Sequence, residues 1–287
     1  MEILKNVEMK EYSHMKVGGI GKELIFIEDR KELKEVLATR EKIYFLGNGT
    51  NTLIDDGKLD ISFISLKKFQ NITVEEKTLE YDLVRVEAGL DLEALTEYME
   101  KNDYSGLENI TGIPGSVGGL VNMNGGAYGT EIFDCIEEVE ICDREGEIKK
   151  LRKSELSFKY RTTEIKEKKW IVISALFKFK KGFDKECSED KKRQREEKHP
   201  LDYPNLGSTF KNPEGTFAAQ LISDAGLKEY RVGDAQVSFK HPNFIINLGN
   251  AKFSDVIGVI EHVKKTVFEK FNVMLETEVI ILKNSRD

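Results

Sequence analysis

Cysteine is scarce in this chain of 287 residues, with three copies at Cys135, Cys142 and Cys187. Their number is odd and no two stand at the CxxC spacing, so the sequence predicts neither a disulfide framework nor a zinc site. The four histidines are scattered and form no HExxH motif, and we therefore expect no bound metal. A chain without disulfides fits a reducing compartment, and the expected location is the cytoplasm.

Long apolar runs and an excess of positive charge are also missing. No segment has the roughly 20 apolar residues of a membrane span. The segment from Met1 to Gly19 has neither the apolar centre nor the small-residue cleavage site of a secretory signal. The formal net charge is −7 and the pI is near 5.4, whereas nucleic-acid-binding domains usually carry a basic patch. We expect neither nucleic acid nor a membrane as a partner.

Short strand patterns and amphipathic helix patterns are present along the chain. Apolar alternation predicts strands over residues 23–28, 60–66, 81–89, 136–143, 170–179, 243–247 and 275–282, and another that ends at 46. Helical spacing predicts helices over 30–42, 92–103, 217–227 and 253–271, with Asp29 and Asp91 as caps of the first two and Gly226 ending the third. These helices are too few for a doubly wound sheet, so the predicted fold class is α+β.

A stretch of charged residues runs from Asp184 to Pro204. Charge runs of this kind usually form a solvated helix or a linker, and both remain possible here. The stretch also marks a change of composition, because a compact pattern of helices and strands follows it. It therefore predicts a boundary between two parts of the chain.

Two loops rich in glycine are the first candidates for a binding site. GNGTN (Gly47 to Asn51) follows a predicted strand directly, and GIPGSVGG (Gly112 to Gly119) places a rigid proline between glycines. Backbone N–H groups in such loops can converge on a phosphate oxygen. Neither loop matches the P-loop or the dinucleotide-binding fingerprint, so each pattern alone is typical of a tight turn or of an anion cradle.

Several short motifs occur in a fixed order. They are KVGG (Lys16 to Gly19), LGNGTN, TGIPGSVGG followed by NGGAYG, FKYR (Phe158 to Arg161), GSTFKNP (Gly207 to Pro213) and LETEV (Leu275 to Val279). Together they resemble the UDP-N-acetylenolpyruvoylglucosamine reductase family over nearly the whole chain. The ordered set is far more specific than any single motif. The length resembles the shorter form of the family, which lacks an inserted segment with a substrate-covering tyrosine.

The resemblance implies a fold and a reaction. The fold is an FAD-binding module of the vanillyl-alcohol-oxidase type in two subdomains, residues 1–56 and 57–195, with the second completed by 273–287. A separate α+β substrate-binding domain covers 196–272. The implied reaction is the reduction of UDP-N-acetylglucosamine enolpyruvate to UDP-N-acetylmuramate, a peptidoglycan precursor, with NADPH as reductant, and we expect a monomer.

The resemblance also implies the FAD contacts. Both glycine-rich loops would wrap the FAD pyrophosphate, and the second would continue under the flavin. The implied residues are Gly47, Asn48, Gly49, Thr50, Asn51, Thr52, Thr111, Gly112, Ile113, Pro114, Gly115, Ser116, Gly118, Gly119 and Asn124. Relatives with a covalent flavin place a histidine or cysteine at or near the first loop. GNGTN offers neither, so we expect non-covalent FAD.

Three residues are the candidates for catalysis. Local spacing alone favours an ion pair at a strand edge for Arg161, a turn or cap for Ser208 and a solvent-facing strand position for Glu278. The resemblance assigns them other roles. Arg161 would hold a carboxylate and stabilise an enolate, Ser208 would donate a proton, and Glu278 would help to polarise the enolpyruvyl group.

The glutamate assignment has a close alternative, because Glu276 would share a strand face with Glu278. We match the catalytic glutamate to the one directly before Val279. Weaker candidates for substrate contacts are Lys198, Asn212, Tyr128 and His241. Lys198 could instead be an ordinary residue of the charged stretch, and Tyr128 could instead serve only in packing.

The chain departs from the family pattern at three places. Met15 stands where a threonine or serine is usual, GNG replaces GGG at Gly47 to Gly49, and Ile280 stands where a basic residue often occurs. The last departure puts one substrate contact in doubt.

Two other functions remain: another FAD-dependent oxidoreductase of the same fold acting on a sugar or lactone, and a nucleotide-binding module without chemistry. GSTFKNP argues against the first, and a yellow purified protein would exclude most versions of the second.

Overall fold

The computed structural model describes residues 1–284. The α-helices are α1 (Arg30–Thr39), α2 (Leu92–Lys101), α3 (Val117–Met123), α4 (Glu164–Glu167), α5 (Lys185–Lys198), α6 (Ala218–Asp224) and α7 (Phe253–Phe271). Short 3₁₀ helices cover Met9–Tyr12, Glu108–Ile110, Ile132–Asp134 and Lys153–Glu155. Residues 185–198 of the charged stretch form a helix, α5, which confirms the helix alternative for that part of the stretch.

The strands form several sheets. In chain order they are β1 (Glu2–Glu8), β2 (Ile20–Phe26), β3 (Ile43–Phe45), β4 (Thr52–Ile54), β5 (Lys58–Ser65), β6 (Ile72–Lys77), β7 (Tyr81–Glu87), β8 (Tyr104–Ser105), β9 (Gly126–Ala127), β10 (Thr130–Glu131), β11 (Ile136–Cys142), β12 (Ile148–Arg152), β13 (Phe158–Lys159), β14 (Thr162–Thr163), β15 (Ile171–Lys181), β16 (Asn205–Ser208), β17 (Arg231–Val232), β18 (Ala235–Val237), β19 (Phe244–Asn247) and β20 (Ile280–Leu282). The sheet orders are β1-β2-β5-β3, β12-β11-β15-β7-β6 with β8 on β15, and β16-β19-β18-β17, and the pairs are β9–β10, β13–β14 and β4–β20.

The chain divides into two compact units. The first contains residues 1–4, 23–48 and 61–195, and the second contains 5–22, 49–60 and the described residues from 196 onward. The three-part division into 1–56, 57–195 with 273–287, and 196–272 stays a prediction. Residues 285–287 of that division lie outside the described part of the chain.

The core of the first unit is built on β15, which pairs antiparallel with β11 on one side and β7 on the other. In β7, Val84 and Val86 are buried on one face, as the alternation predicts. Helix α2 buries Leu92, Leu95 and Met99 against the same cluster because these residues share one helical face. The sheet and helix therefore hold the second glycine-rich loop, which follows α2, against a rigid support.

The core of the second unit is built on α7. Its residues Val256, Ile260, Val263 and Val267 are buried in one stripe, and the helix has the bounds that the apolar spacing predicts. Buried residues of β18 and β19 belong to the same hydrophobic cluster. Phe210, after β16, is also part of this cluster, so the segment that carries Ser208 is anchored on its C-terminal side.

Two local predictions were wrong. The strand expected from Leu275 begins only at Ile280, because its partner β4 offers three residues for pairing. Before it, Thr277 forms a single bridge with Phe210. Asp91 has the backbone conformation of a cap for α2, but its side chain makes no capping hydrogen bond and instead accepts one from Asn48 Nδ2 at 2.7 Å. Asp29 does cap α1 as expected.

Candidate active site

A cleft of about 140 Å³ lies in the first unit, and both glycine-rich loops line it. The first loop contributes Gly47 and Asn48, and the second contributes Ser116, Gly118 and Gly119. The rest of the wall comes from the ends of β3 and β5, the residues that follow β7, Asn122 of α3 and the start of β15. Loops far apart in sequence therefore meet at one cleft, as is required if both wrap one pyrophosphate.

The cleft wall at these loops is made of backbone. A Cβ atom on Gly47 would lie 3.0 Å from Ser116 Oγ, so a side chain there would press on the second loop. Within residues 1–284, the backbone N–H groups of Gly47, Gly112 and Gly115 donate to no protein acceptor. Such groups can bind the oxygens of a phosphate or pyrophosphate. Gly47 lines the cleft and fits the pyrophosphate of FAD, while Gly112 and Gly115 belong to the second loop but not to the cleft wall, so their contact with FAD stays a prediction.

Two further glycines at the cleft are explained by packing alone. A Cβ atom on Gly118 would lie 2.7 Å from Ala88 Cβ, and one on Gly89 would lie 2.0 Å from the carbonyl oxygen of Leu66. The Gly118 N–H donates to the Ala88 carbonyl at 2.8 Å. Glycine is required here because two backbone segments approach closely, whether or not a ligand is bound.

The remaining predicted residues of the first loop lie in the second unit: Gly49, Thr50, Asn51 and Thr52. Gly49 has a φ of +66°, and a Cβ atom there would lie 2.0 Å from the carbonyl oxygen of Tyr12. Asn51 Nδ2 donates to the Glu278 carbonyl at 3.3 Å, and the Asn51 carbonyl accepts from Ile280 N–H at 3.0 Å. Asn51 therefore holds the segment that carries Glu278, and its contact with FAD stays a prediction.

The start of the second loop is fixed from both sides. The carbonyl of Thr111 accepts from the Arg195 side chain at 2.9 Å, and the N–H of Ile113 donates to Ile110 at 3.2 Å. Pro114 is exposed at the tip. At the far end, Ser116 Oγ accepts from Gly119 N–H at 3.3 Å as the N-cap of α3.

Asn124 is fully buried at the left-handed end of α3, with a φ of +50°. Its side-chain amide donates to the Glu131 carboxylate and to the Lys159 carbonyl, and its Oδ1 accepts from Phe133 N–H. Its own carbonyl accepts from Arg161 Nη1 at 3.2 Å. Asn124 therefore supports Arg161. The FAD contact predicted for Asn124 stays a prediction.

Arg161 lies in the turn between β13 and β14 with a φ of +54°. Its guanidinium donates to the carbonyls of Asn124 and Gly126 and lies 4.8 Å from the centre of the Tyr160 ring. A non-glycine residue in the left-handed region is strained, and such residues cluster at functional sites. The hydrogen bonds fix the guanidinium in one orientation, which is what a carboxylate-binding arginine requires.

Tyr128 shares this unusual backbone conformation, with a φ of +50°, and its ring is 42% exposed. Lys191 Nζ and the Arg195 guanidinium carbon lie 5.2 and 5.1 Å from the ring centre. The ring thus packs against two cations of α5. Packing is confirmed as one role of Tyr128, and a substrate contact stays a prediction.

Ser208 and Glu278 are brought together in the second unit. Ser208 follows Gly207, which has a φ of +73°, and pairs with Phe244 across the sheet. Glu278 N–H donates to the carbonyl of Thr209, the next residue after Ser208, at 2.8 Å. The backbones of the two predicted catalytic residues are therefore neighbours. Arg161 belongs to the first unit.

Glu276 and Glu278, the two candidates for the catalytic glutamate, differ in exposure and in contacts. The Glu276 side chain is 70% exposed and pairs with Lys211 Nζ at 2.6 Å, while the Lys211 N–H donates to the Glu276 carbonyl at 2.9 Å. Glu278 is half-buried beside Thr209. Neither glutamate lies in a regular strand, because β20 begins only at Ile280.

The other substrate candidates are spread over the second unit. Lys198 is exposed at the last residue of α5. Asn212 is exposed, and its Oδ1 accepts from Ala218 N–H at 3.1 Å, so it helps to start α6. His241 is packed between the rings of His199 and Phe244, with centroid distances of 5.2 and 4.7 Å. None of these contacts tests the predicted substrate roles.

The half-buried ring of His241 predicts a pH-dependent stability. Its Nδ1 is buried and has no hydrogen-bond partner within residues 1–284, and burial lowers the pKa of the imidazole. The unfolded chain binds a proton at this residue more readily than the folded protein does. The free energy of unfolding should therefore fall as the pH drops below the ordinary histidine pKa of about 6.5.

Replacing His241 tests this expectation. His241→Phe keeps a ring of similar size and should remove this part of the pH dependence, which is at most about 1.4 kcal/mol per pH unit for one proton. Urea unfolding of both proteins, followed by circular dichroism between about pH 5 and 8, measures the slope. An unchanged slope in the variant would assign the dependence to another group.

Sequence reasoning did not predict the supporting roles of two residues. Asn243 is buried, and its side chain donates to the Phe210 carbonyl at 2.8 Å and accepts from the Phe210 N–H at 3.0 Å. Its own carbonyl accepts from Thr209 N–H at 2.7 Å, so it clamps the segment after Ser208. Arg195, inside the charged stretch, is buried although Glu196 and Glu197, which follow it, are exposed. An asparagine at the edge of the apolar NFIIN pattern was the available signal for Asn243.

Within residues 1–284, no three His, Cys, Asp or Glu side chains come together in a way that could hold a metal. Over the same range, none of the helices combines the length and the apolar character that a membrane span needs. Cys135 and Cys142 are buried free thiols, and burial raises their pKa to about 12 and about 11.

Comparisons with known families agree with this geometry. Residues 24–152 match the FAD binding domain family, and residues 199–282 match the family described as UDP-N-acetylenolpyruvoylglucosamine reductase, C-terminal domain. The α+β fold class and the FAD-binding module are confirmed. The first match contains Gly47, Asn48 and the second glycine-rich loop, and the second contains Ser208 and Glu278.

Similarity to individual proteins extends over the full length. The UDP-N-acetylenolpyruvoylglucosamine reductase of Fusobacterium nucleatum is 50% identical over 99% of this chain and 100% of its own, and that of Clostridium novyi is 43% identical over 98% and 92%. The crystal structure of the Thermus caldophilus enzyme matches with a TM-score of 0.83 at 34% identity, covering 98% of each chain. The chain therefore belongs to the UDP-N-acetylenolpyruvoylglucosamine reductase family.

Proposed function

We propose that this chain reduces UDP-N-acetylglucosamine enolpyruvate to UDP-N-acetylmuramate, with NADPH as reductant and FAD as cofactor. Full-length similarity to reductases of this name supports the reaction. The observation that carries the proposal is the convergence of Gly47 and Asn48 with Ser116, Gly118 and Gly119 on one cleft. When bound, FAD supplies the hydride chemistry that links NADPH to the enolpyruvyl double bond.

Each residue of the predicted trio has a defined role toward the substrate. Arg161 binds the carboxylate of the enolpyruvyl group and stabilises the negative charge that develops next to it. Ser208 donates a proton to C2, and Glu278 polarises the group from the side of Thr209. A serine hydroxyl is a weak acid in water, but a strongly basic carbanionic centre can accept its proton.

An anaerobic absorbance experiment tests the whole proposal. The purified protein should be yellow, should lose its flavin absorbance on addition of NADPH, and should regain it on addition of the enolpyruvyl substrate. Bleaching without recovery, or recovery with a simple sugar or lactone instead, would replace the proposed substrate. A colourless protein that binds no added FAD would contradict the FAD site itself. Denaturation should release the flavin, because the proposed binding is non-covalent.

Gly47→Val tests the assignment of the cleft. The φ of Gly47 lies outside the left-handed region, so valine fits the backbone, but its Cβ would point at Ser116 Oγ. An inserted group of this kind commonly costs 1–3 kcal/mol, so the Kd for FAD should rise by about tenfold to a hundredfold. Flavin fluorescence titration of the apoprotein measures it, with the thermal midpoint of the apoprotein as a check on folding. A wild-type Kd would place the pyrophosphate elsewhere.

The remaining properties follow from the same proposal. The protein works in the cytoplasm as a monomer, and its partners are NADPH and the UDP-sugar rather than nucleic acid or a membrane. The net charge of −7 supports the expectation about nucleic acid. Sedimentation analysis of the FAD-loaded protein would test the monomer.

A further inference from the structure

Helix α5 is joined to the start of the second glycine-rich loop along its length. Cys187 Sγ lies 3.4 Å from Asn109 Oδ1, and Ser188 Oγ lies 3.0 Å from Thr111 Oγ1. Arg195, two turns further on, donates to the same two residues. Positions 188 and 195 are seven apart and so lie on one face of the helix. This face of α5 contacts the loop.

Arg195 is the most unusual residue of this contact because it is only 7% exposed. Its Nε donates to the Thr111 carbonyl at 2.9 Å, and its Nη2 donates to the Asn109 carbonyl at 3.1 Å. No carboxylate within residues 1–284 lies at ion-pair distance from it, and burial lowers its pKa. A buried charge without an acidic partner is unfavourable for stability. A specific conformational role would explain its presence.

The contact decides which way the loop's N–H groups point. All peptide bonds here are trans, so a carbonyl and the following N–H face opposite sides of the peptide plane. The Thr111 carbonyl faces Arg195, and the N–H of Gly112 therefore points away from α5. Ile113 N–H is already bonded to Ile110, and Pro114 has no N–H. The groups left for a ligand are those of Gly112 and, beyond the proline, Gly115 and Ser116.

We propose that Arg195 is a positioning residue for FAD: it holds two carbonyls toward α5 and so fixes the Gly112 N–H group toward the pyrophosphate. This inference rests on the proposed function. A guanidinium is suited to the role because its planar fork can hold two carbonyls at once, whereas an ammonium is a single point donor. Gly112, with a φ of +81°, supplies the backbone turn that the arrangement requires.

A simpler electrostatic role is the competing explanation. If Arg195 only adds positive charge near the pyrophosphate, lysine should replace it well and added salt should weaken binding in the wild type more than in an uncharged variant. If Arg195 acts through the carbonyls, lysine and methionine should both fail, and the salt dependence should be the same for all variants. The two explanations therefore differ in the behaviour of Arg195→Lys.

The experiment compares four proteins, namely the wild type, Arg195→Lys, Arg195→Met and Arg193→Met. Arg193 is the matched control, since it lies on the same helix but is 65% exposed and pairs with Asp190. Flavin fluorescence titrations of the apoproteins at low and high salt give the Kd for FAD. Both Arg195 variants should bind FAD about tenfold to a hundredfold more weakly, the usual effect of losing charged hydrogen bonds. Arg193→Met should match the wild type.

A second readout separates positioning from chemistry. At saturating FAD, kcat per bound flavin should stay near the wild-type value in both Arg195 variants, and a loss there would assign Arg195 to the reacting groups instead. Wild-type affinity in Arg195→Lys would overturn the positioning role. A wild-type protein that binds no FAD would overturn the proposed function itself. If Arg195→Met does not fold, Ser188→Ala decides: its Kd should rise severalfold, and an unchanged Kd would overturn the proposal.

Discussion

Ser208→Ala is expected to leave reduction by NADPH close to the wild-type rate and to slow turnover of the enolpyruvyl substrate about 10²–10⁴-fold. The proposed proton transfer occurs only after hydride has reached the substrate, so the NADPH half-reaction does not need the hydroxyl. The backbone should not move, because Thr209 and Phe210 are held by Asn243 and Ser208 pairs with Phe244. Stopped-flow absorbance of the two half-reactions measures both rates.

Ser208→Cys is the control for this experiment. A thiol retains a transferable proton and should keep more activity than alanine. Equal slowing of both half-reactions in Ser208→Ala would indicate a damaged flavin site instead of a lost proton donor. Substrate turnover at the wild-type rate would remove Ser208 from the mechanism.

Features set by local sequence were predictable. The apolar spacing of α7 defined its bounds, because the buried stripe and the helical period coincide over five turns. The glycine-rich loops were also visible, since glycine and asparagine in short turns are a strong local signal. The convergence of Gly47 with Ser116 on one cleft was an inference from the family resemblance and from the idea of two loops on one pyrophosphate.

Features set by distant partners were not predictable. Alternation in LETEVIIL suggested one long strand, but strand length depends on the partner, and β4 supplies three residues. Arg193 and Arg195 look alike in a charged stretch, yet the first is exposed and the second is buried against the carbonyls of a loop more than 80 residues earlier. Polar contacts between a helix and a loop leave no apolar period in the sequence, so the sequence did not predict that this face of α5 contacts the loop.

Glu278→Gln is expected to lower kcat about 10²–10³-fold, the usual effect of removing one group that stabilises developing charge. The substitution keeps the size of the side chain. It also leaves the backbone contacts intact, because the Glu278 N–H bonds to Thr209 and its carbonyl bonds to Asn51. Binding of FAD should be unchanged, and steady-state kinetics with FAD-saturated protein measure the loss in kcat separately from KM.

Glu276→Gln is the matched control, since it removes the same charge two residues away. Its side chain points to Lys211 and is 70% exposed, and an exposed ion pair is worth at most about 1 kcal/mol. Turnover of this variant should therefore stay within about twofold of the wild type, because the lost pair does not touch the backbone that holds Ser208. A large loss in Glu276→Gln with little change in Glu278→Gln would reassign the catalytic glutamate. Similar losses in both would show that net charge on this segment, rather than one carboxylate, supports the reaction.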